Sequence, residues 1–259
     1  MRPRPVALVT GASSGIGRQF AMQLAAQGHD LVLVARDAER LAGLATLIAA
    51  RHVVDVDVLA ADLTDAADLA AVEQRIRSGT PIDVVVNSAG SGTAGRFAEL
   101  DPEAELDQVR LNVLAVVALS HAAISTMVPR GAGGLLNVSS VAGFWPGPGL
   151  ATYGATKAFV TSFTQAIHDE TAGTGVRVVA LCPGFTRTEF HERGEIDVSH
   201  IRSVAWSDPA TVARAGLDAL RRNKVLCVPG TVNIARVTAS KMLPRRATRA
   251  ITRWAVRRS

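Results

Sequence analysis

Short apolar runs of strand length alternate with segments of helical period along nearly the whole chain. The first run, 6–10, stops at a glycine turn, after which Ile16, Phe20 and Leu24 recur at helical spacing until Gly28. Further strands are predicted at 30–36, 53–60, 82–87, 135–139, 176–181 and 225–228, with helices at 38–50, 102–128 and 153–171 among those filling the gaps. Most of the strands are apolar throughout. Only 53–60 alternates, through Asp55 and Asp57. Continuous apolar strands are expected where helices cover both faces of a parallel sheet. The pattern therefore predicts an α/β fold: a doubly wound, seven-stranded parallel sheet. No linker, repeat or low-complexity stretch divides it.

Composition narrows the function classes. Of 259 residues, 48% are hydrophobic and 20% charged, which fits one sizeable core and excludes disorder or a disulfide scaffold. The two cysteines, Cys182 and Cys227, lie in apolar runs, and no Cys/His cluster has metal-ligand spacing, so no metal is expected. The stretch 111–128 is interrupted by Asn112, Ser120, His121, Ser125 and Thr126, and reads as a buried helix instead of a membrane span. With no signal-peptide core at the start, a cytoplasmic location is expected.

The net charge of +5 conceals an asymmetry: residues 219–259 hold eleven basic side chains and no acid. Within the tail 241–259, Ala247, Ala250, Ile251 and Trp254 form one helical stripe, and Arg246, Arg249, Arg253 and Arg257 another. Such a helix either lies on an anionic membrane surface or docks on its own domain with its arginines solvated. Nucleic-acid binding is not expected, since no binding module accompanies the arginines.

Candidate chemistry begins after the first strand, at Thr10-Gly-Ala-Ser-Ser-Gly-Ile-Gly17. Its glycines permit a sharp turn and close approach, and the helix that follows presents free N–H groups to an anion such as a pyrophosphate. The spacing is GxxxGxG, not the commoner GxGxxG. Arg36 ends the second strand, where a dinucleotide fold meets the adenosine ribose; an arginine there accommodates a 2′-phosphate, favouring NADP(H) over NAD(H). Tyr153 and Lys157 are four apart in a helical segment and share a face, a pairing in which an ammonium lowers the phenol pKa and makes a general acid/base. Ser140, just past the fifth strand, can donate to an oxygen on which charge develops. The plainer alternative is a half-buried tyrosine beside a lysine with a solvated head.

TGASSGIG from Thr10, Asn87-Ser88-Ala89-Gly90, Asn112, Ser140, YGATK from Tyr153 and Pro183-Gly184 together resemble, in order and spacing, the short-chain dehydrogenase/reductase family over residues 5–230. The resemblance implies a single Rossmann-type domain over 1–240, including a substrate loop at about 185–207, and NAD(P)-dependent exchange of hydride between nicotinamide and a carbonyl or secondary alcohol. It further implies that Gly11, Ser13, Ser14, Gly15, Ile16 and Gly17 hold the cofactor phosphates and Arg36 the 2′-phosphate. Asp62 and Leu63 would flank the adenine, with Asn87, Ala89 and Gly90 on the ribose side. Tyr153 would exchange the proton, Ser140 fix the substrate oxygen, and Lys157 bind the nicotinamide ribose, while Asn112 holds a water leading to Lys157. Pro183, Gly184, Thr186 and Thr188 would position the carboxamide. A homodimer or homotetramer is implied as well. The family usually reads NNAG where Ser88 stands here.

Phe144, Trp145, Phe185, Phe190 and Trp206 gather near this predicted site. They line an apolar substrate pocket, for a ketone or 3-oxoacyl compound, or pack against the nicotinamide or a neighbouring subunit. His191 and His200 read as polar loop residues. The competing readings are a catalytically silent NADP(H)-binding sensor and a membrane-recruited protein acting through its basic tail.

Overall fold

The computed structural model describes residues 4–194 and 206–242. Seven parallel strands form one sheet: β1 (Val6–Thr10), β2 (Asp30–Ala35), β3 (Val56–Ala60), β4 (Val84–Asn87), β5 (Gly133–Val138), β6 (Val176–Leu181) and β7 (Leu226–Cys227). Their order is β3-β2-β1-β4-β5-β6-β7, so the winding reverses between β1 and β4. Ligands bind in open α/β sheets at such a reversal, beyond the carboxyl ends of the strands.

Helices cover both faces. α1 (Gly15–Ala26), α2 (Ala38–Ala49) and α8 (Pro209–Arg221) bury Phe20, Leu24, Leu41, Ile48 and Leu217 on one face. On the other, α3 (Ala66–Arg77), α5 (Ala115–Arg130) and α6 (Ala151–Glu170) pack Val72, Ile76, Leu119, Met127 and Ile167. Each fully buried large apolar side chain contributes about 1.5–3 kcal/mol to the fold. The remaining helices are α4 (Pro102–Val109), the short α7 (Phe190–Arg193) and α9 (Thr231–Met242).

Several sequence-based boundaries move. The third strand starts at Val56, and Val53 is 91% exposed. β3 lies at one edge of the sheet, and none of its residues is fully buried. β4 starts at Val84 instead of residue 82, and β5 spans Gly133–Val138 instead of 135–139; the Ser139 hydroxyl donates to the Lys157 carbonyl oxygen. The long helix predicted over 102–128 is three segments, α4, a π turn (Arg110–Leu114) and α5. Its apolar length alone would allow it to cross a bilayer, but α5 packs on β4, β5 and α3 instead. The expectations for 195–205, including His200, and for the tail stripes beyond 242 lie outside the described residues.

Candidate active site

The winding reversal brings two loops together. Gly11 has φ +67°, and a Cβ there would lie 2.9 Å from the Ala89 backbone. Thr10 secures the junction: its Oγ1 accepts the N–H groups of Ser88 at 3.0 Å and Ala89 at 3.1 Å. Thr10 was not among the candidate residues, though its place at the head of the glycine loop was a signal. A Cβ on Gly17 would stand 2.2 Å from the Gly11 carbonyl oxygen, so α1 packs close beneath the loop.

α1 starts at Ser14 without a side-chain cap, and its first helical bond is from Arg18 N–H to the Ser14 carbonyl. The N–H groups of Gly15, Ile16 and Gly17 thus have no partner within the helix. Ser13, Ser14, Gly15 and Thr188 face an open groove of about 840 Å³, together with Arg18, Arg40 and Arg187. These cations were missed; Arg18 was legible from its position directly after Gly17. Arg40 is held across the groove by Glu189, with Nη1 2.7 Å from Oε2. Arg36 is exposed and lies 3.8 Å from Asp62. Burial pushes the Asp62 carboxyl up, but hydrogen bonds from Thr64 and the charge of Arg36 bring it below its ordinary value. Leu63 is buried beside it.

Asn87 is buried at the end of β4. Its amide nitrogen donates to Asn137 at 2.9 Å and Ser120 at 3.3 Å within a buried network, while its Oδ1 has no partner among the described residues. A Cβ on Gly90 would sit 3.0 Å from Asn112 Oδ1 and 3.3 Å from Lys157 Nζ. Asn112, on the π turn and fully buried, donates to the Ser91 carbonyl and Thr156 hydroxyl and accepts the Ser91 N–H. The turn widens the helix by one residue per ring, which aims this amide at the loop after β4.

Lys157 is buried, donates to the Val138 carbonyl at 3.1 Å, and holds its ammonium 5.8 Å from the centre of the Tyr153 ring. Burial pushes it down to about 8. Burial likewise pushes Tyr153 up to about 12, with the Ser140 hydroxyl pulling the other way. The pairing with Lys157 predicts a lowered phenol pKa; loss of water around the phenolate instead raises it. Ser140 accepts the Ala142 N–H at 3.1 Å.

The loop after β6 closes the site. The Pro183 carbonyl accepts the Val141 N–H, tying this loop to the turn after Ser140. Gly184 abuts Asn233 of α9, Thr186 is buried with its hydroxyl on the Gly184 carbonyl, and Thr188 contacts Gly15. Phe190 lies 5.5 Å from the Tyr153 ring. His191 is not a solvated loop residue: it sits among Phe185, Phe190 and Trp206, and burial lowers its pKa.

Residues 5–197 match the short chain dehydrogenase family model. A sulfoacetaldehyde reductase from Chromohalobacter salexigens is 38% identical over 187 residues, covering 70% of this chain and 72% of that protein. A short-chain dehydrogenase from Sphingobium yanoikuyae, solved in complex with NADPH, superposes with a TM-score of 0.84 at 37% identity, covering 93% of this chain and 96% of that one. The bulky-bulky ketone specific alcohol dehydrogenase from Comamonas testosteroni gives 0.79 at 34% identity, with 93% and 95% covered. The chain belongs to the short-chain dehydrogenase/reductase family and is an oxidoreductase acting on CH–OH and C=O groups.

Proposed function

We propose that this protein is an NADP(H)-dependent carbonyl reductase for a ketone or 3-oxoacyl-type substrate with an apolar body. The observation that carries this reading is the Ser140, Tyr153 and Lys157 cluster beneath an aromatic cover. The residues present fit a dinucleotide: the uncapped first turn of α1, the Ser13 and Ser14 hydroxyls and three arginines all favour a diphosphate. Arg36 at the end of β2 supports the 2′-phosphate form. When bound, the nicotinamide supplies a hydride.

The chain's own groups handle the oxygen. With its pKa near 12, Tyr153 holds its proton at neutral pH and is ready to give it to a carbonyl oxygen. Ser140 accepts the Ala142 N–H and hydrogen-bonds Tyr153, which keeps its hydroxyl beside the oxygen that the phenol protonates. Lys157 stays mostly charged at pH 7 and stabilises the negative charge left on Tyr153. Asn112, against Gly90 beside Lys157, keeps a polar path to the ammonium. Phe190, Phe185 and Trp206 support an apolar substrate, in keeping with the names of the ketone-specific neighbour.

Leu106 and Leu114 on the α4–α5 run and Phe159 on α6 are exposed, which supports a homodimer or homotetramer in the cytoplasm. A peripheral membrane contact through 241–259 is the second reading, favoured by Val232, Ile234 and Met242 exposed on α9 just before that basic segment. Flotation on anionic vesicles that is equal with and without residues 241–259, or that does not occur at all, would discard it.

The experiment is NADPH consumption against 3-oxoacyl thioesters, bulky ketones, steroid ketones and small aldehydes, with NADH in parallel. Tyr153→Phe is expected to lower turnover by ~10²–10⁴-fold. Turnover with NADH alone would overturn the reading of Arg36, and tight NADPH binding without any turnover would favour the silent sensor.

A further inference from the structure

α4 is built inside out. It buries Glu105 and Gln108 and leaves Leu106 half exposed. A carboxylate taken out of water needs strong compensating bonds, yet among the described residues Glu105 has no cationic partner. Its two oxygens divide their work instead. Oε1 accepts the Thr93 hydroxyl and Oε2 the Thr152 hydroxyl, while Gln108 Nε2 donates to Thr93 Oγ1 at 3.3 Å.

Both threonines adjoin the reacting tyrosine. Thr152 precedes Tyr153 in the first turn of α6, where the N-cap, Leu150, offers no side-chain bond and no acidic residue is present. The positive end of α6 therefore receives its carboxylate from another helix. Thr93 follows Gly92, where an added Cβ would fall 2.7 Å from the Phe190 ring and 3.1 Å from the Tyr153 ring. One side chain thus ties the start of the tyrosine's helix to the wall that the tyrosine faces.

We propose that Glu105 is a positioning residue for Tyr153, its two-armed carboxylate holding the first turn of α6 against the loop after β4 and so fixing where the phenol stands. Its effect on turnover rests on the reading of Tyr153 as the proton donor; its effect on the phenol's surroundings does not. Tyr153 is the only tyrosine in the chain. Protein labelled with 13Cζ-tyrosine therefore gives one resonance that reports this ring, whatever the substrate.

Glu105→Ala and Thr152→Val are each expected to move or broaden that resonance. Each is expected to cut kcat about tenfold, with the KM for NADPH unchanged, and the double variant to be no worse than either alone. Glu105→Gln restores most of the loss, because a hydroxyl can accept from an amide as well as donate to it. Should Glu105→Ala fail to fold, Thr152→Val with Thr152→Ser as the rescue carries the same test. An unmoved resonance, an unmoved kcat, or losses that multiply in the double variant overturn the proposal. Wild-type enzyme without turnover would sink the reductase reading, and the tyrosine resonance alone would then decide the contact.

Discussion

Four helices that begin away from the reacting groups, α2, α3, α4 and α8, each start on an aspartate (Asp37, Asp65, Asp101 and Asp208) whose carboxylate accepts backbone N–H groups. Two long helices that begin at the site, α1 and α6, start on Ser14 and Leu150 with no side-chain cap and no acid in the first turn. An aspartate cap satisfies orphan donors and complements the helix dipole, which stabilises by about 1 kcal/mol. It also fills the one place where an anion could come in. The protein caps its scaffold and leaves its working ends to groups from elsewhere: the serine-lined groove at α1, and Glu105 at α6.

The sharpest way to break this contrast is to cap a working helix. Ser14→Asp should satisfy the first turn of α1 and raise Tm slightly, while weakening NADPH binding by about 100-fold through lost donors and like charge. Fluorescence titration with NADPH checks it; binding within a few fold of wild type would mean that the open turn has no role in holding the diphosphate.

At the α6 end, the charge on Lys157 sets a pH limit. Its pKa is lowered to about 8, so the charged form predominates below that value and is lost above it. The rate of carbonyl reduction should accordingly fall about tenfold between pH 7 and pH 9, measured at saturating cofactor. A rate that climbs over that interval would reverse the assignment of proton donor.

Arg36→Ala should raise the KM for NADPH about fivefold and leave that for NADH unchanged. The effect is modest because the guanidinium is exposed and shared with Asp62. The smallest kinetic effect belongs to a scaffold cap. Asp65→Ala removes the acceptor for the Ala67 and Asp68 N–H groups, at a stability cost of about 1 kcal/mol with kcat and KM both unchanged.

Features carried by neighbouring residues were readable along the chain. The glycine loop, the Tyr153 and Lys157 pair, and the apolar strands of a sheet covered on both sides all express local spacing, which the backbone's own periods convert into shared faces. Asp55 and Asp57 interrupt the apolar pattern next to and within β3, which lies at one edge of the sheet. The π turn at Asn112 was hidden within one apolar helical pattern, because a ring widened by one residue leaves no mark in composition. Asn87 could be placed at the end of β4, but not the direction of its amide, which Asn137 and Ser120 decide from 50 and 33 residues away.

By itself, then, the sequence determined where most strands and helices form, that most strands are apolar on both faces, and the order in which the chemistry-bearing residues arrive at the carboxyl ends of the strands. Tertiary structure alone decided what those residues meet. Burial set the proton affinities of Tyr153 and Lys157 against the expectation from their pairing, because the cost of charging a group depends on the water removed around it and not on sequence spacing. It also brought Glu105 to Thr152 across 47 residues and Phe190 onto Tyr153, contacts that depend on how helices and loops pack after the sheet has closed.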